Sequence, residues 1–192
     1  GFERSWLGKL SENNPRLQVV DLSEGLELLY GTHHHEEGHL HDGEAYPDPH
    51  IWCSPRLARR MVETMYRALT EIDPDGASVY AENYARIDRR FAQLDSVLTD
   101  KLRPFKGKVF AVYHPTLSYW AADYGLRQLA LEPDGKSPSP QYLRAMVDSA
   151  RHVGVEVVFI QQEFDPRQAE TFAREVGCRT EIINPLAYTW SE

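Results

Sequence analysis

The 192-residue chain is poor in the features that mark several common classes of protein. Its only two cysteines, Cys53 and Cys178, lie far apart and outside any CxxC spacing, which gives no support to a disulfide framework or a cysteine-rich zinc site. No apolar run approaches the roughly 20 residues that are needed to span a bilayer. A basic-then-apolar secretion signal is also missing from the amino-terminal stretch, although a mature secreted protein has the same appearance.

Positive charge is scarce as well, since 21 basic residues face 29 acidic ones and the formal net charge is −8. No stripe of Lys and Arg alternates with aromatic residues, which argues against nucleic acid as a partner and favours a cation. A content of 42% hydrophobic and 26% charged residues fits one globular domain or two small lobes.

Histidine, by contrast, is concentrated in residues 31–55, which hold six of the eight histidines in the chain. These are His33, His34, His35, His39, His41 and His50, with Glu36, Glu37, Asp42 and Glu44 among them. Imidazole is the commonest side-chain ligand of Zn²⁺ and related ions, so the tract predicts a metal-collecting segment. An affinity tag is the alternative, but a tag is usually an unbroken run near a terminus, whereas this tract is interrupted, acidic and internal.

The tract has two parts that differ in backbone freedom. Residues 32–46 are polar, contain two glycines and show no apolar period, which predicts a mobile loop. In the following PDPH at residues 47–50, two prolines fix φ and push their preceding residues to extended geometry, while Ile51 and Trp52 supply a buried anchor. His50 is therefore a candidate primary ligand on rigid backbone, with a simply packed histidine as the alternative.

The first half of the chain is otherwise predicted to be mainly helical. Its apolar pattern indicates a helix at residues 2–10 and a short strand at 17–22. Ser54 can cap a helix that has Pro55 at its first position. The stripe of that helix that is expected to face the core is Leu57, Met61, Met65 and Leu69. Residues 77–102 lack proline and glycine and keep a helical period, which predicts a helix of about 39 Å, either a long surface helix or a strut between two lobes.

From Lys108 the pattern changes to alternating strands and helices. The predicted strands are residues 109–113, 129–131, 155–160 and 180–183, and the predicted helices are residues 115–124, 137–153 and 166–176. Strands rich in branched residues that alternate with helices indicate an α/β fold with a parallel sheet covered on both faces.

Polar side chains follow several of these strands. His114 comes directly after the first, Glu163 and Asp165 just after the third, and Asn184 directly after the last. Because ligands of parallel sheets bind beyond the carboxyl ends of the strands, these groups are expected to converge on one crevice. His114 could instead cap the next helix, and His152, near a helix carboxyl terminus, is given no site role.

These stretches, taken together, resemble a known family. GFERSWLGKL, VVDLSEGLELL, DPHIWCSP, VYHPTLSYWAADYGL, EPDGKSPSP and INPLAYTW are similar to segments of the solute-binding proteins of zinc and manganese ABC transporters. The similarity is closest to the zinc-uptake (ZnuA-like) branch and runs along essentially the whole chain in the family's order. The DPHIW and HPTLSYWAADYGL stretches are specific, whereas the histidine loop alone is not.

The resemblance implies two α/β lobes bridged by one long rigid helix, with the metal held between the lobes. It predicts the remainder of an incomplete amino-terminal lobe at residues 1–76, the linking helix at 77–103 and a carboxyl-terminal lobe at 104–192. The family's first histidine ligand has no counterpart in this chain, because the segment that carries it would precede Gly1.

The same resemblance assigns the metal ligands. His50 is the second ligand and His114 the third, and imidazole at the third position favours zinc over manganese, whose relatives tend to have Glu there. Asn184 stands where the family often has a carboxylate, so it is expected to bind zinc directly or through water. Glu163 is predicted to support the site without touching the metal.

The predicted function is capture of Zn²⁺ outside the cytoplasm and its delivery to an ABC transporter permease, by a monomer that catalyses no reaction. The location is periplasmic, or extracellular and membrane-anchored, in a bacterium. Zinc affinity should fall as pH drops through the range near 6.5 where histidines protonate, and the loop histidines would act as weak collectors or as a zinc sensor. The alternatives are a Mn²⁺ or Fe²⁺ homologue, a surface adhesin, and a zinc hydrolase with Glu163 or Asp165 as base, although no HExxH motif is present.

Overall fold

The computed structural model describes residues 3–30, 47–132 and 138–187. The predicted histidine loop, with His33, His34, His35, His39 and His41, lies outside these ranges. The chain divides into two compact units, Gly1–Leu98 and Thr99–Glu192, and the boundary falls inside the longest helix. No helix in the described ranges has the length and apolar character needed to cross a membrane.

The first unit is built from helices. These are α1 (Arg4–Asn13), α2 (Pro55–Ile72) and most of α3 (Ala77–Leu102), with short 3₁₀ turns at Ile51–Cys53 and Pro74–Gly76. The predicted cap of α2 is confirmed, because the backbone N–H of Leu57 donates to the side chain of Ser54 at 3.0 Å and Pro55 is the first helical residue. The 26-residue helix α3 is also confirmed at the predicted bounds.

The strand predicted at residues 17–22 is wrong. The segment is irregular, with Val19 52% and Val20 42% exposed, and the only bridge described in this unit joins Tyr30 to Pro47. A strand exists only when a neighbouring strand takes its backbone hydrogen bonds, and none in the described ranges pairs with this segment. An apolar run of this length indicates extended backbone but not a partner.

The predicted core stripe of α2 is only half correct. Leu57 and Met61 are half-buried, whereas Met65 and Leu69 are 43% and 39% exposed. Ala58, one position round the helix from Leu57, is buried instead. An amphipathic period predicts which residues share a face, but the extent of burial depends on what that face contacts.

Helices α2 and α3 contact one another largely through polar groups. Arg59 forms a two-bond ion pair with Asp88, at 2.8 and 3.0 Å, and Arg56 donates to Asp95 at 2.8 Å. The rings of Tyr66 and Tyr84 are stacked with their centroids 4.9 Å apart. No described residue of α3 is buried, although a half-buried stripe that includes Tyr84, Ile87 and Phe91 runs along the helix beside these pairs.

The second unit contains a four-stranded parallel sheet, as predicted. Its strands are β1 (Val109–Val112), β2 (Arg127–Ala130), β3 (Val157–Gln161) and β4 (Arg179–Ile183), in the spatial order β2-β1-β3-β4. All three pairings are parallel. Its helices are α4 (Ser118–Asp123), α5 (Pro140–Val153) and α6 (Arg167–Val176). The mixed α/β class with one long helix is therefore confirmed.

Both faces of the sheet are covered, which explains why its strands are so apolar. On one face Ala111, Val158 and Ile160 pack against Ala150 of α5 and Phe172 of α6. On the other face Phe110 and Val112 pack with Ala121 of α4. The left-handed Gly154 and Gly177 end α5 and α6 and turn the chain back into β3 and β4, as helix carboxyl termini commonly require.

The strand order determines where a site can form. The chain leaves β1 toward β2 on one side and later returns to place β3 on the other side of β1. The connections that follow β1 and β3 therefore diverge, and this is the point at which ligands of parallel sheets usually bind. His114 follows β1 and Gln161 ends β3, so both residues lie at this point of divergence.

Candidate metal centre

His50 is held by the residue two positions before it. A single oxygen of Asp48, Oδ1, accepts from the backbone N–H of His50 at 2.9 Å and lies 2.6 Å from its ring Nδ1. The Asp48 backbone N–H donates in turn to Leu29 at 2.7 Å. Both side chains are largely buried, at 14% and 10% exposure, and the Trp52 ring lies 5.4 Å from the imidazole.

His114 is held by a carboxylate from a neighbouring strand. Its Nδ1 lies 2.5 Å from Oε2 of Glu132, whose side chain is 10% exposed. Glu132 reaches this position because the pairing of β2 with β1 continues past the strand end, where the backbone N–H of Glu132 donates to Tyr113 at 2.9 Å. Phe164 stacks on the imidazole, with ring centroids 5.4 Å apart.

The helix after β1 begins later than predicted, which decides between the two roles considered for His114. It starts at Ser118, not at Pro115, and its N-cap residue is Leu117. Pro115 disfavours helical geometry in the residue before it, and the Thr116 N–H donates to the His114 carbonyl at 2.8 Å, forming a tight turn. His114 therefore does not cap the helix.

Gln161 fixes the backbone of His114. Its Oε1 accepts from the His114 N–H at 3.3 Å, and its Nε2 donates to the His114 carbonyl at 2.6 Å. Nε2 also donates to the Thr116 hydroxyl at 2.9 Å, and Gln161 is fully buried. The ends of β1, β2 and β3 thus meet around His114 through Glu132 and Gln161, whereas the convergence predicted for Glu163, Asp165 and Asn184 stays a prediction.

The two histidines share one chemical arrangement. Each has a carboxylate at Nδ1 and an aromatic ring beside the imidazole. A carboxylate only accepts hydrogen bonds, so it keeps the proton on Nδ1 and the lone pair on Nε2, which is the tautomer that metal binding through Nε2 requires. Metal-binding histidines almost always carry such a partner, which orients the ring and raises its basicity.

Other residues predicted for the site have different surroundings. The Oδ1 atom of Asn184 accepts from the backbone N–H of Leu186 at 3.1 Å, an arrangement that closes a turn after β4. Glu163 is exposed, and the contacts to His114 come from Glu132 and Gln161 instead.

The pKa values of the two cysteines and of Asp165, the candidate base of the hydrolase alternative, are shifted from their ordinary values. Cys53 and Cys178 are both free thiols, and burial, with the nearby Asp48 charge, raises the pKa of Cys53 to about 12. Hydrogen bonds from Arg167 lower the pKa of Asp165 to about 2. Within the described ranges, no three His, Cys, Asp or Glu residues come together as a metal-holding group.

Sequence reasoning missed Asp48, Glu132, Gln161 and Phe164. Asp48 and Glu132 had a usable signal, because one stands two residues from the candidate ligand His50 and the other directly follows the strand next to β1. Gln161 carried no such signal, since its partner His114 is 47 residues away in the sequence.

Comparison with known proteins identifies the family of this chain. A family model for ZnuA, the periplasmic component A of the zinc-uptake complex, matches residues 1–191. The chain belongs to the ZnuA family. The resemblance drawn from the DPHIW and HPTLSYWAADYGL stretches is thereby confirmed.

Individual relatives agree with this family. The zinc-binding lipoprotein AdcA of Streptococcus pneumoniae strain R6 is 29% identical over 194 residues, covering 95% of this chain and 38% of AdcA. The high-affinity zinc uptake system protein ZnuA of Bacillus subtilis strain 168 is 30% identical over 173 residues, covering 87% of this chain and 54% of that protein. A crystal structure of ZnuA aligns with a TM-score of 0.85 at 34% identity, covering all of this chain and 71% of the other. The ZnuA-family chain thus spans between 38% and 71% of the length of these relatives.

Proposed function

We propose that this ZnuA-family chain is part of an extracytoplasmic solute-binding protein that binds Zn²⁺ through His50 and His114 and delivers it to an ABC transporter permease. The observation that carries the proposal is the matched environment of the two histidines. In each, a largely buried carboxylate lies within hydrogen-bonding distance of Nδ1, at 2.6 Å for Asp48 and 2.5 Å for Glu132.

The donor set favours zinc over manganese as the cargo. Imidazole nitrogen suits borderline ions such as Zn²⁺, whereas Mn²⁺ prefers oxygen ligands. Two imidazoles fill half of a tetrahedral shell, and Zn–N distances of about 2.0–2.1 Å are expected for them. We propose that Asn184 contributes to the shell, directly or through water.

Transport is favoured over hydrolysis by the character of the nearby carboxyl groups. A general base works best when its pKa lies near the working pH. Asp165, with a pKa of about 2 and an ion pair to Arg167, is a weak base, and Glu163 lies exposed. The names of the relatives AdcA and ZnuA, which refer to zinc binding and zinc uptake, also favour transport.

Zinc titration by calorimetry tests the proposal. The unaltered chain should show a tight class of binding that disappears in the His50→Ala, His114→Ala double variant, leaving weak binding by the histidine-rich tract. His152→Ala is the matched control, because His152 is an exposed histidine near the end of α5 with no assigned role. Identical isotherms for the unaltered chain, the double variant and the control would refute the proposal.

A further inference from the structure

We infer that Gln161 is a positioning residue that holds His114 in the orientation needed for metal binding. The inference rests on the proposed function, in which His114 is a zinc ligand. It concerns a residue that touches neither the metal nor the imidazole, and that acts only through the main chain of the ligand.

The first argument is that the side-chain amide of Gln161 takes the main-chain hydrogen bonds of His114 that a neighbouring strand would otherwise take. Strands β1 and β3 pair through Ala111 with Val158 and Val112 with Phe159, and the Tyr113 N–H then donates to the Phe159 carbonyl at 3.0 Å. At the next residue, His114, both main-chain groups bond to the side-chain amide of Gln161. The amide thus continues the pairing beyond the point where the two strands diverge.

The second argument is that most of the hydrogen-bonding capacity of the amide, including both donors, is used at this turn. A carboxamide offers two N–H donors and an acceptor oxygen. In Gln161 the nitrogen donates to the His114 carbonyl and the Thr116 hydroxyl, while the oxygen accepts from the His114 N–H. Because Gln161 is fully buried, loss of these bonds would leave polar main-chain groups without compensation, so the turn would rearrange.

Gln161 and Glu132 therefore fix different parts of one ligand. Gln161 sets the position of the His114 backbone, and Glu132 sets the rotation of its ring through Nδ1. If the His114 backbone were displaced, its imidazole could not keep both the contact with Glu132 and the orientation needed for metal binding. We therefore expect loss of Gln161 to disturb the Glu132 contact as well.

Gln128 provides a matched control from the same sheet. Its Oε1 accepts from the Leu117 N–H at 2.8 Å and its Nε2 donates to the Ser118 hydroxyl at 2.9 Å, so it fixes the start of α4. Gln128 is half-buried, and its side-chain amide bonds to the start of α4 and not to His114. A residue with a merely structural role should behave like Gln128.

The test compares Gln161→Met with Gln128→Met, since methionine keeps the length of glutamine and removes its hydrogen bonds. Both variants should lose thermal stability, measured by circular dichroism. Only Gln161→Met should weaken zinc binding in calorimetry, by about 10- to 100-fold, as is typical when a residue that supports a ligand is lost. In a His114→Ala background, Gln161→Met should cause no further loss. Equal zinc affinities for both glutamine variants would overturn the inference.

A metal-free measurement separates this inference from the proposed function. Nitrogen-15 NMR of the imidazole should show His114 protonated at Nδ1 in the unaltered chain, and a shift toward mixed tautomers in Gln161→Met but not in Gln128→Met. If Gln161→Met fails to fold, Gln161→Glu, which keeps the acceptor and removes both donors, is measured instead. An unchanged tautomer would overturn the inference, whereas absence of tight zinc binding in the unaltered chain would refute only the proposed function.

Discussion

Asp48 and Glu132 give two histidines from different parts of the chain the same chemical neighbourhood. Asp48 reaches His50 within a proline-bounded turn, and Glu132 reaches His114 across two paired strands. Local sequence produces the first contact and sheet register produces the second. Their common result is an imidazole that is oriented at Nδ1 before any metal arrives, which reduces the ordering that binding itself requires.

Removing the charge of either carboxylate should therefore weaken zinc binding. We expect Asp48→Asn and Glu132→Gln each to lower zinc affinity by about 10- to 100-fold, because an amide holds the Nδ1 proton less strongly and makes the imidazole less basic. Competition titration with a zinc chelator measures the change. Glu163→Gln is the control, since Glu163 is acidic and exposed. A loss of affinity in Glu163→Gln, with none in Glu132→Gln, would assign the supporting role to Glu163 instead.

The residues of this candidate site differ in how far the sequence alone could find them. His50 and His114 were found because one lies in a rigid proline-bounded turn and the other follows a buried strand. Gln161 was out of reach, because an amide at a strand end has neither a period nor a charge to mark it. Its role arises only when the sheet brings it against the main chain of His114.

At the scale of elements, helices α2 and α3 show how a long helix can be held with few buried residues. Arg59 and Asp88 form a two-bond pair whose side chains are 38% and 27% exposed, and the Tyr66–Tyr84 stack adds an aromatic contact. Hydrogen bonding from Arg59 lowers the pKa of Asp88. A carboxyl group with a lowered pKa in the folded state stabilises the fold above its unfolded pKa, and this contribution is lost as pH falls.

A double-mutant cycle on Arg59→Gln and Asp88→Asn should measure the coupling free energy between these two side chains. We expect a coupling energy of about 0.2–1 kcal/mol in urea unfolding at pH 7, typical of partly exposed pairs. It should shrink in 1 M salt and be lost as pH falls through the lowered pKa of Asp88, which lies below the ordinary aspartate value. The pair of Arg56 and Asp95, whose side chains are similarly exposed, serves as the comparison and should respond to salt in the same way. A coupling that is unaffected by salt and pH would show that the contact is not ionic.

The elements themselves were predictable where the signal was local. The strands of the second unit were found because each is a short branched run bounded by turn residues, and the cap of α2 was found from Ser54 and Pro55. The strand predicted at residues 17–22 was wrong because a strand needs a partner, and the residues of the segment do not show whether a partner exists. The burial predicted for Met65 and Leu69 was wrong for a related reason. A helical period shows which residues share a face, but not what that face contacts.

At the scale of the whole molecule, burial is distributed unevenly. In the described ranges, the buried apolar clusters belong to the sheet and helices of the second unit. The first unit buries Ile51, Ser54, Pro55 and Ala58 around the turn that carries His50, and leaves Trp6, Leu10, Val19 and Val20 largely exposed. Local stability should therefore differ strongly along the sequence.

Native-state hydrogen exchange, followed by mass spectrometry at neutral pH, should reveal this gradient. Amides in the central strands β1 and β3 should exchange slowest, because they are paired on both sides and covered by core residues such as Val112 and Val158, which are fully buried. Residues 17–29 should exchange within the shortest labelling times, since they are irregular and largely exposed. The edge strand β4, mostly exposed but hydrogen-bonded to β3, is the internal comparison and should fall between the two. Equal protection of residues 17–22 and β1 would mean that the first segment is paired in solution. In that case Val19 and Val20 would belong to a paired strand, as the sequence predicted.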